Sequence, residues 1–265
     1  MAIERGLAGV VPYAAVGSGR PVVICTGLWH TTGVQSDSLV RGAIGPMREL
    51  RPGHRLIIIN RRPGLPTGVS IGDIAAEYAH AIREHFGERV DVMGNSTGGS
   101  IAQQLAADHP ATVRRLVLIS TACRLGPEAL ESQARIAAAL REGRERDAFA
   151  EMAEDLAPRG LRTVARGAGR VVARRAIPDA QTQADLAATL EAEDAFDLAK
   201  CANPIQAPTL IVGGGRDRFY SRDLFEETAA LIPNSRLALF PRRGHITVAT
   251  DRTVRATVAE FVRAP

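Results

Sequence analysis

The feature that most constrains the fold of this chain is an alternation of short β-branched runs with longer stretches of helical spacing. The runs are apolar at successive positions, which is typical of strands that are covered on both faces. Such strands belong to parallel sheets with helices on both sides, so the sequence predicts a doubly wound α/β fold. The clearest runs are residues 22–25, 56–59, 90–93, 116–119 and 210–212.

One stretch of helical spacing carries its own start and stop signals. Apolar residues recur every three or four positions through residues 71–86. Ser70 and Asp73 fit the capping box that begins many helices, and Gly87 is a typical residue just after a helix end. At the front of the chain, residues 6–16 have the pattern of an antiparallel hairpin that leads into the first buried strand. The core is therefore predicted to begin with a hairpin and to continue as strand–helix units.

The alternation stops in the middle of the chain. Residues 123–203 contain no strand-like run and are rich in alanine and arginine at helical spacing, and the strand pattern resumes at Pro208. Because open α/β sheets bind ligands beyond the carboxyl ends of their strands, an all-helical insertion there is expected to form a lid. We therefore predict an α/β core of residues 1–122 and 204–265 and a helical cap of residues 123–203.

The overall composition excludes several classes of protein. The apolar share of 45% argues against disorder, and no window is long and apolar enough to span a membrane. Cys25, Cys123 and Cys201 are too few and too far apart for a disulfide framework or a metal cluster. Because the N-terminus does not resemble a signal peptide, we expect a cytoplasmic protein with no membrane partner.

The net charge of +4 does not indicate a charged binding surface. Lys200 is the single lysine among 33 basic residues, and the arginines are scattered among 29 acidic residues. Aromatic residues make up only 4% of the chain. A nucleic-acid-binding domain usually concentrates positive charge on one face and adds aromatic residues on which bases stack. The arginine content therefore indicates a compositional bias, and no nucleic acid is expected as a partner.

The most informative segment is residues 94–98, Gly-Asn-Ser-Thr-Gly, a G-x-S-x-G sequence. A predicted strand precedes it, and residues 100–109 are predicted to be helical. A serine on so sharp a strand-to-helix turn has a strained backbone, and the flanking glycines lack the β-carbons that would collide there. The pattern predicts that Ser96 is a nucleophile. The alternative is an ordinary glycine turn.

Two later strand ends carry the partners that a catalytic serine needs, a base to remove its proton and an acid to hold the base in one tautomer. Residues 208–212 lead into a glycine-rich loop that contains Asp217, and residues 235–240 lead into a loop that contains His245. The chain order Ser, Asp, His predicts a Ser96-His245-Asp217 triad. For each partner the alternative is a loop residue that backbone hydrogen bonds satisfy.

The remaining requirement is an oxyanion hole made of two backbone amides. Thr97, which follows the nucleophile, is predicted to supply one amide. Leu28, in the loop after the first buried strand, is predicted to supply the other, with Trp29 as the alternative. Four side chains beside these loops are candidate substrate-binding residues or, alternatively, packed core residues: Trp29, His30, Phe219 and Tyr220.

With these motifs in place, the sequence resembles the α/β-hydrolase superfamily, in its serine-nucleophile branch with a lid. The resemblance covers the hairpin, the Thr-Gly-Leu after the first buried strand, the elbow, the Asp217 loop and the Gly-His before the final helix. It implies an eight-stranded, mostly parallel sheet, a lid between the sixth and seventh strands, and a mechanism without a cofactor. Haloalkane dehalogenases and epoxide hydrolases differ, because they have aspartate at the elbow. The chain departs from many relatives at Thr26, where they have histidine, and at residues 60–64, where they have Asp-x-Arg-Gly-x-Gly.

Two further patterns concern charged residues and histidines on predicted helices. Every fourth residue from Arg162 to Arg174 is arginine, which would form a basic stripe on a helix. One interpretation is the binding of a substrate carboxylate, and the favoured one is a solvated helix face. His80, Glu84 and His85 lack the His-Glu-x-x-His order of metal hydrolases, so no metal site is predicted.

The combined hypothesis is an enzyme of carboxylesterase or lactonase type. It would cleave a small carboxylic ester, lactone or thioester through an acyl-enzyme, and a small-molecule substrate is the expected partner. Two alternatives stay open. One is another reaction on the same triad, namely carbon–carbon bond hydrolysis, cofactor-free perhydrolysis or acyl transfer. The other is a ligand-binding protein that keeps the fold without catalysis.

Overall fold

Eight strands form one sheet in the computed structural model, which describes residues 2–157, 159–173 and 178–264. The strands are β1 (Glu4–Ala8), β2 (Val11–Val16), β3 (Arg20–Cys25), β4 (His54–Ile59), β5 (Val90–Asn95), β6 (Val113–Ile119), β7 (Thr209–Gly214) and β8 (Ser235–Phe240). Across the sheet they lie in the order β1-β2-β4-β3-β5-β6-β7-β8. The pairs β1–β2 and β2–β4 are antiparallel, and all other neighbours are parallel. The predicted eight-stranded, mostly parallel sheet and its N-terminal hairpin are confirmed.

Helices fill most of the connections between the strands. Within the described ranges they are α1 (Asp37–Ile44), α2 (Ile71–His85), α3 (Thr97–Asp108), α4 (Pro127–Arg141), α5 (Glu145–Leu156), α6 (Arg162–Ala173), α7 (Ala180–Asp194), α8 (Arg222–Leu231), α9 (His245–Ala249) and α10 (Arg252–Arg263). The predicted capping box begins α2, because Ser70 Oγ accepts from the Asp73 amide and the Asp73 carboxylate accepts from the Ser70 amide. No helix in these ranges is long and apolar enough to cross a membrane.

The sheet is buried on both faces, as its continuously apolar strands predict. In β4, Ile57 and Ile59 join a core cluster with residues of α2 and α3, whereas Leu56 and Ile58 join a second cluster with residues of α1 and α10. All four side chains are 0% exposed. Burial of one such side chain stabilises the fold by about 1.5–3 kcal/mol. The loops at the carboxyl ends of the parallel strands are therefore anchored on a well-packed layer.

Helices α4 to α7 lie between β6 and β7 in the chain, in the segment predicted to be a cap. Ile136 and Leu140 of α4 pack with Leu186 and Leu190 of α7 in a third apolar cluster. Leu28, which follows β3, packs against this cluster from the core side. Helices α4, α5 and α7 thus share a small apolar core that reaches the loop predicted to supply an oxyanion amide. The division into cap and core at residues 123 and 203 stays a prediction.

The predicted arginine stripe lies on α6, and Arg174 falls outside the described residues. Ion pairs join this helix to α5: Arg162–Glu154 at 3.0 Å, Arg166–Glu154 at 2.7 Å and Arg170–Asp147 at 2.8 Å. The apolar residues Leu161, just before α6, and Val164 and Val171, within it, are 56%, 68% and 56% exposed. The described arginines therefore face acidic residues of α5 and the apolar side faces solvent, which corrects the interpretation as a simple solvated stripe.

Candidate active site

Ser96 occupies the strained turn that the sequence predicts, between β5 and α3. Its backbone has φ 51° and ψ −127°, a conformation that residues other than glycine adopt rarely. A β-carbon on Gly98 would lie 2.2 Å from the carbonyl oxygen of Cys25, and one on Gly94 would lie 2.5 Å from the Cα of Gly99. Because no β-carbon fits at either position, the two glycines of the motif let α3 pack closely against β3 and β5.

Ser96, His245 and Asp217 form a continuous chain of hydrogen bonds. His245 Nε2 lies 3.0 Å from Ser96 Oγ, and His245 Nδ1 lies 2.9 Å from Asp217 Oδ2. The Asp217 side chain is 0% exposed and that of His245 is 10% exposed. When Nδ1 carries the proton and donates to the carboxylate, Nε2 is free to accept the serine proton. The structure thus brings together three residues that were predicted separately from three loops.

Further hydrogen bonds hold the carboxylate and the imidazole in place. Asp217 Oδ1 accepts from the backbone amides of Phe219 at 2.9 Å and Tyr220 at 3.3 Å, which leaves Oδ2 to the imidazole. Ser120 Oγ donates to the backbone carbonyl of His245 at 2.6 Å. Ser120 follows β6, is fully buried and has a positive φ of 51°. Sequence reasoning missed this residue, since a serine after a strand carries no motif.

The loop after β3, which carries Leu28, lies against the elbow. A β-carbon on Gly27 would be 3.4 Å from Ser96 Cβ. Arg61 Nη2 donates to the backbone carbonyl of Trp29 at 2.7 Å, and the Arg61 side chain is almost completely buried. Burial lowers the pKa of Arg61 to about 10. A buried guanidinium group therefore fixes the backbone next to the predicted oxyanion amide.

The two departures from the family pattern contact each other. Thr26 Oγ1 donates to Asn60 Oδ1 at 3.1 Å. Asn60 Nδ2 donates to the backbone carbonyls of Thr31 at 3.0 Å and Gly33 at 2.8 Å. The unusual residues thus tie the loop after β3, which carries Leu28, to the end of β4.

A cavity of about 230 Å³, here called the Ser96 cavity, lies beside the hydrogen-bonded chain. Of the residues predicted for the site, six line it: Leu28, Trp29, Ser96, Thr97, Phe219 and His245. Thr97 is the first residue of α3, and amides in the first turn of a helix have no intrahelical acceptor. The predicted oxyanion residues and the serine hydroxyl therefore belong to one cavity wall.

His30 and Tyr220, the other two predicted substrate contacts, lie outside this lining. The ring of His30 packs edge-to-face on Phe149 of α5, with centroids 6.4 Å apart, and burial lowers its pKa. Tyr220 is 1% exposed, and its ring stacks against the imidazole of His245 with centroids 6.0 Å apart. These surroundings favour the alternative of packed residues for both: His30 packs on a neighbouring helix, and Tyr220 stacks against the imidazole of His245.

A buried carboxylate from α7 meets the elbow. Glu193 is 1% exposed and accepts hydrogen bonds from the side chains of Thr97 at 2.7 Å, Ser100 at 3.2 Å, Tyr220 at 3.2 Å and Gln133 at 3.3 Å. Burial raises the pKa of Glu193, and the hydrogen bonds oppose this rise. No sequence pattern indicates Glu193, because its partners lie 27 to 96 positions away. The carboxylate connects the inserted helices to a predicted oxyanion residue and to the tyrosine behind His245.

The described residues form no metal-binding cluster, and the Cys25 thiol is buried. Among the described residues, no group of three or more histidine, cysteine, aspartate or glutamate side chains is arranged to hold a metal ion. Burial raises the pKa of the Cys25 thiol to about 12, so this cysteine is not a thiolate at neutral pH.

Comparisons with known proteins fit this geometry. Residues 22–260 match the model of the alpha/beta hydrolase family. The putative carbamate hydrolase RutD of Klebsiella pneumoniae is 28% identical over 200 residues, which are 73% of each chain. The enol-lactonase of Burkholderia xenovorans LB400 superposes with a TM-score of 0.74 at 21% identity, covering 98% of this chain and 100% of that one. A thermophilic esterase from Thermogutta terrifontis gives 0.71 at 22% identity, covering 99% and 98%. The chain belongs to the alpha/beta hydrolase family.

Proposed function

We propose that this chain is a serine hydrolase that cleaves a small carboxylic ester, lactone or thioester through an acyl-enzyme on Ser96. The observation that carries the proposal is the hydrogen-bonded chain from Ser96 through His245 to the buried Asp217, at distances of 3.0 and 2.9 Å. Ser96 and His245 line a cavity with many apolar residues, where a carbonyl substrate would be partly enclosed. An arrangement of this kind activates a serine hydroxyl.

Acylation begins when Ser96 Oγ attacks the carbonyl carbon of the substrate. His245 Nε2 takes the hydroxyl proton as the new C–O bond forms, and Asp217 stabilises the resulting imidazolium. Negative charge develops on the carbonyl oxygen, to which the amides of Leu28 and Thr97 donate hydrogen bonds. The carbonyl then re-forms as the bond to the leaving group breaks, and His245 gives its proton to the departing oxygen or sulfur. The products of this step are the acyl-enzyme and a free alcohol or thiol.

Deacylation repeats these steps with water as the nucleophile. His245 takes a proton from water as the water oxygen attacks the acyl carbon, and the same two amides hold the second oxyanion. The bond to Ser96 Oγ breaks, and the imidazolium returns its proton to the serine. The carboxylic acid leaves and the resting enzyme is restored.

The dimensions of the Ser96 cavity favour a small acyl group. Its volume of about 230 Å³ is below the roughly 300–1,000 Å³ of typical ligand pockets. The apolar part of its wall consists of Leu28, Ile136, Met152, Leu190, Phe219 and neighbouring residues. Each methylene that fits such a wall adds about 1–3 kcal/mol of discrimination. We therefore expect kcat/KM for esters to fall steeply once the acyl chain fills the cavity.

Carbamate hydrolysis is a second candidate, favoured by the 28% identical relative that is named a putative carbamate hydrolase. A feature of the cavity wall is compatible with it. Gln133 lines the Ser96 cavity, and its Oε1 is buried without a hydrogen-bond partner among the described residues. A carbamate N–H would satisfy this oxygen, whereas an ester has no such donor. The ratio of kcat/KM for a carbamate and its matched ester separates the two, and product analysis with peroxide or an alcohol tests perhydrolysis and acyl transfer.

Substitution of the serine tests the proposal directly. Ser96→Ala is expected to lower kcat for a p-nitrophenyl ester by about 10⁴–10⁶-fold, because the nucleophile is lost while the cavity remains. The matched control is Ser38→Ala, since Ser38 is exposed on α1, and it should keep wild-type activity. A fluorophosphonate probe should label residue 96 in wild type and in Ser38→Ala, as detected by mass spectrometry.

Two results would contradict parts of this proposal. Equal turnover in wild type and Ser96→Ala would exclude Ser96 as the nucleophile. A folded wild-type protein that neither reacts with the probe nor hydrolyses any ester would favour the non-catalytic, ligand-binding alternative.

A further inference from the structure

A second and larger cleft adjoins the Ser96 cavity at His245. It has a volume of about 730 Å³, against about 230 Å³ for the Ser96 cavity. Asp155, Leu156, His245 and Ile246 line both. Because the imidazole belongs to both walls, a molecule that reacts at Ser96 has room to extend into the larger cleft.

The wall of this cleft is built mainly from the two loops that carry Asp217 and His245. Residues 215–218 and 242–247 supply most of the lining, and residues 155–157 complete it. We call it the arginine cleft after four of its residues: Arg216, Arg218, Arg242 and Arg243. Asp217 does not neutralise this charge at the surface, since its side chain is 0% exposed and bonded to the imidazole.

Two of the four arginines in the arginine cleft have no carboxylate partner among the described residues. Arg243 forms an ion pair with a neighbouring carboxylate at 2.6 Å. Arg218 lies 3.6 Å from the carboxylate of Glu128, and its charge also interacts with the carboxylates of Glu154 and Asp155, of which Asp155 lines the cleft. Arg216 and Arg242 are exposed, and within the described ranges their guanidinium groups form no ion pair or hydrogen bond. The described arginines of the α6 stripe differ, because each pairs with a carboxylate of α5.

The position of His245 relates the arginine cleft to one side of the scissile bond. In the mechanism above the imidazole protonates the departing oxygen or sulfur, so the leaving group must lie next to it. The Ser96 cavity is bounded by apolar side chains of α4, α5 and α7, which suit an acyl chain. The arginine cleft continues past the imidazole along residues 246 and 247, on the side where the leaving group departs.

We propose that the leaving group of the substrate carries a carboxylate or phosphate that binds Arg216, Arg218 and Arg242. This inference rests on the proposed function and narrows its substrate class to esters or thioesters of anionic alcohols or thiols. Guanidinium groups bind both oxyanions through paired, charge-assisted hydrogen bonds. The unpaired guanidinium groups of Arg216 and Arg242 supply the donors, and Arg218 adds positive charge to the same wall.

Four aryl esters that differ in the place of their charge test this proposal. Phenyl acetate is neutral, 4-acetoxybenzoate and 4-acetoxyphenyl phosphate carry charge on the leaving group, and phenyl hydrogen succinate carries it on the acyl group. The variant is R216A/R242A. The control is R20A/R51A, which removes two charges from exposed arginines near the amino-terminal ends of β3 and β4, the sheet edge away from the candidate triad.

We expect R216A/R242A to lose about 10–100-fold in kcat/KM for the two esters with anionic leaving groups. The neutral ester and phenyl hydrogen succinate should change by less than about twofold, and the control should match wild type on all four. The loss should shrink at about 0.5 M salt, because salt screens exposed charges. The larger of the two losses identifies a carboxylate or a phosphate as the preferred anion.

Equal losses on all four esters, a loss confined to phenyl hydrogen succinate, or no loss would overturn the proposal. A binding measurement keeps the test independent of turnover. Calorimetric titration with 4-hydroxybenzoate and 4-hydroxyphenyl phosphate should give a Kd about tenfold weaker in R216A/R242A than in wild type. An unchanged Kd would reject the anion site, whereas a changed Kd without hydrolysis of any ester would reject the proposed function and leave the anion site in place.

Discussion

Replacement of Glu193 by alanine tests whether a side chain outside the candidate triad stabilises the fold and positions the residues of the site. In Glu193→Ala the following buried donors lose their acceptor: the side chains of Thr97, Ser100, Gln133 and Tyr220. A buried polar group left without a partner costs about 1–3 kcal/mol. The hydroxyl groups can rotate toward other acceptors, whereas the Gln133 amide cannot. With one or two donors left unsatisfied, we expect the free energy of unfolding to fall by about 2–4 kcal/mol.

For a chain of this size, 1 kcal/mol corresponds to about 2 °C in Tm. Glu193→Ala should therefore melt about 4–8 °C below wild type at neutral pH, as measured by circular dichroism. Its kcat for a neutral ester should fall about tenfold or more, because Thr97 and Tyr220 lie beside the oxyanion position and the imidazole. The KM should change less, since Glu193 does not line the Ser96 cavity.

Glu193→Gln is the matched variant, because it keeps the volume and one acceptor oxygen. Its free energy of unfolding should be only about 1 kcal/mol below that of wild type at neutral pH. Burial raises the pKa of Glu193, so the wild type loses stability as pH rises from the unfolded-state pKa to the folded-state pKa. Glu193→Gln lacks this contribution, and its deficit should therefore shrink with rising pH. Wild-type Tm and kcat in Glu193→Ala would refute the reasoning from buried donors.

Two smaller changes probe single interactions of the same region. Burial, with Glu193 and Glu191 nearby, raises the pKa of Asp194 to about 7 from 3.8. Between these two pKa values the unfolded state has lost a proton that the folded state keeps, so the free energy of unfolding of the wild type falls as pH rises. The Asp194→Asn variant lacks this pH dependence and should therefore become more stable relative to wild type over this range. Urea unfolding at about pH 5 and about pH 8 measures the gain, and an identical difference at both would contradict it. Ser120→Ala removes the donor to the His245 carbonyl and should lower kcat about tenfold with little change in KM; unaltered steady-state kinetics would exclude a positioning role.

Most of the sheet and the candidate triad could be predicted because their signals are local. A run of apolar β-branched residues indicates a buried strand without knowledge of its neighbours. The elbow is equally local, since a β-carbon at Gly98 would be 2.2 Å from a backbone oxygen. Asp217 and His245 required one topological step: both follow parallel strands of one sheet, and the carboxyl ends of such strands share an edge.

The supporting residues could not be predicted because their partners are remote in the chain. Ser120 is 125 positions from His245, and Glu193 is 96 positions from Thr97. A hydroxyl or carboxylate gives no pattern until the fold brings its partner close. The same reason applies to Tyr220, because an aromatic residue after the acid suits a cavity wall and a packed core equally well.

The positions of the arginines show that the fold can bring positive charges together at one edge of the sheet although the composition does not reveal it. A net charge of +4 spread over the chain argued against a nucleic-acid surface. The loop that presents Asp217 at the sheet edge, however, also presents Arg216 and Arg218 there, and the loop that presents His245 also presents Arg242. Groups that must converge for catalysis thus bring their sequence neighbours with them. On the proposal that the leaving group binds in the arginine cleft, substitutions beside the candidate acid and base should alter substrate charge preference while the three hydrogen-bonded residues stay unchanged.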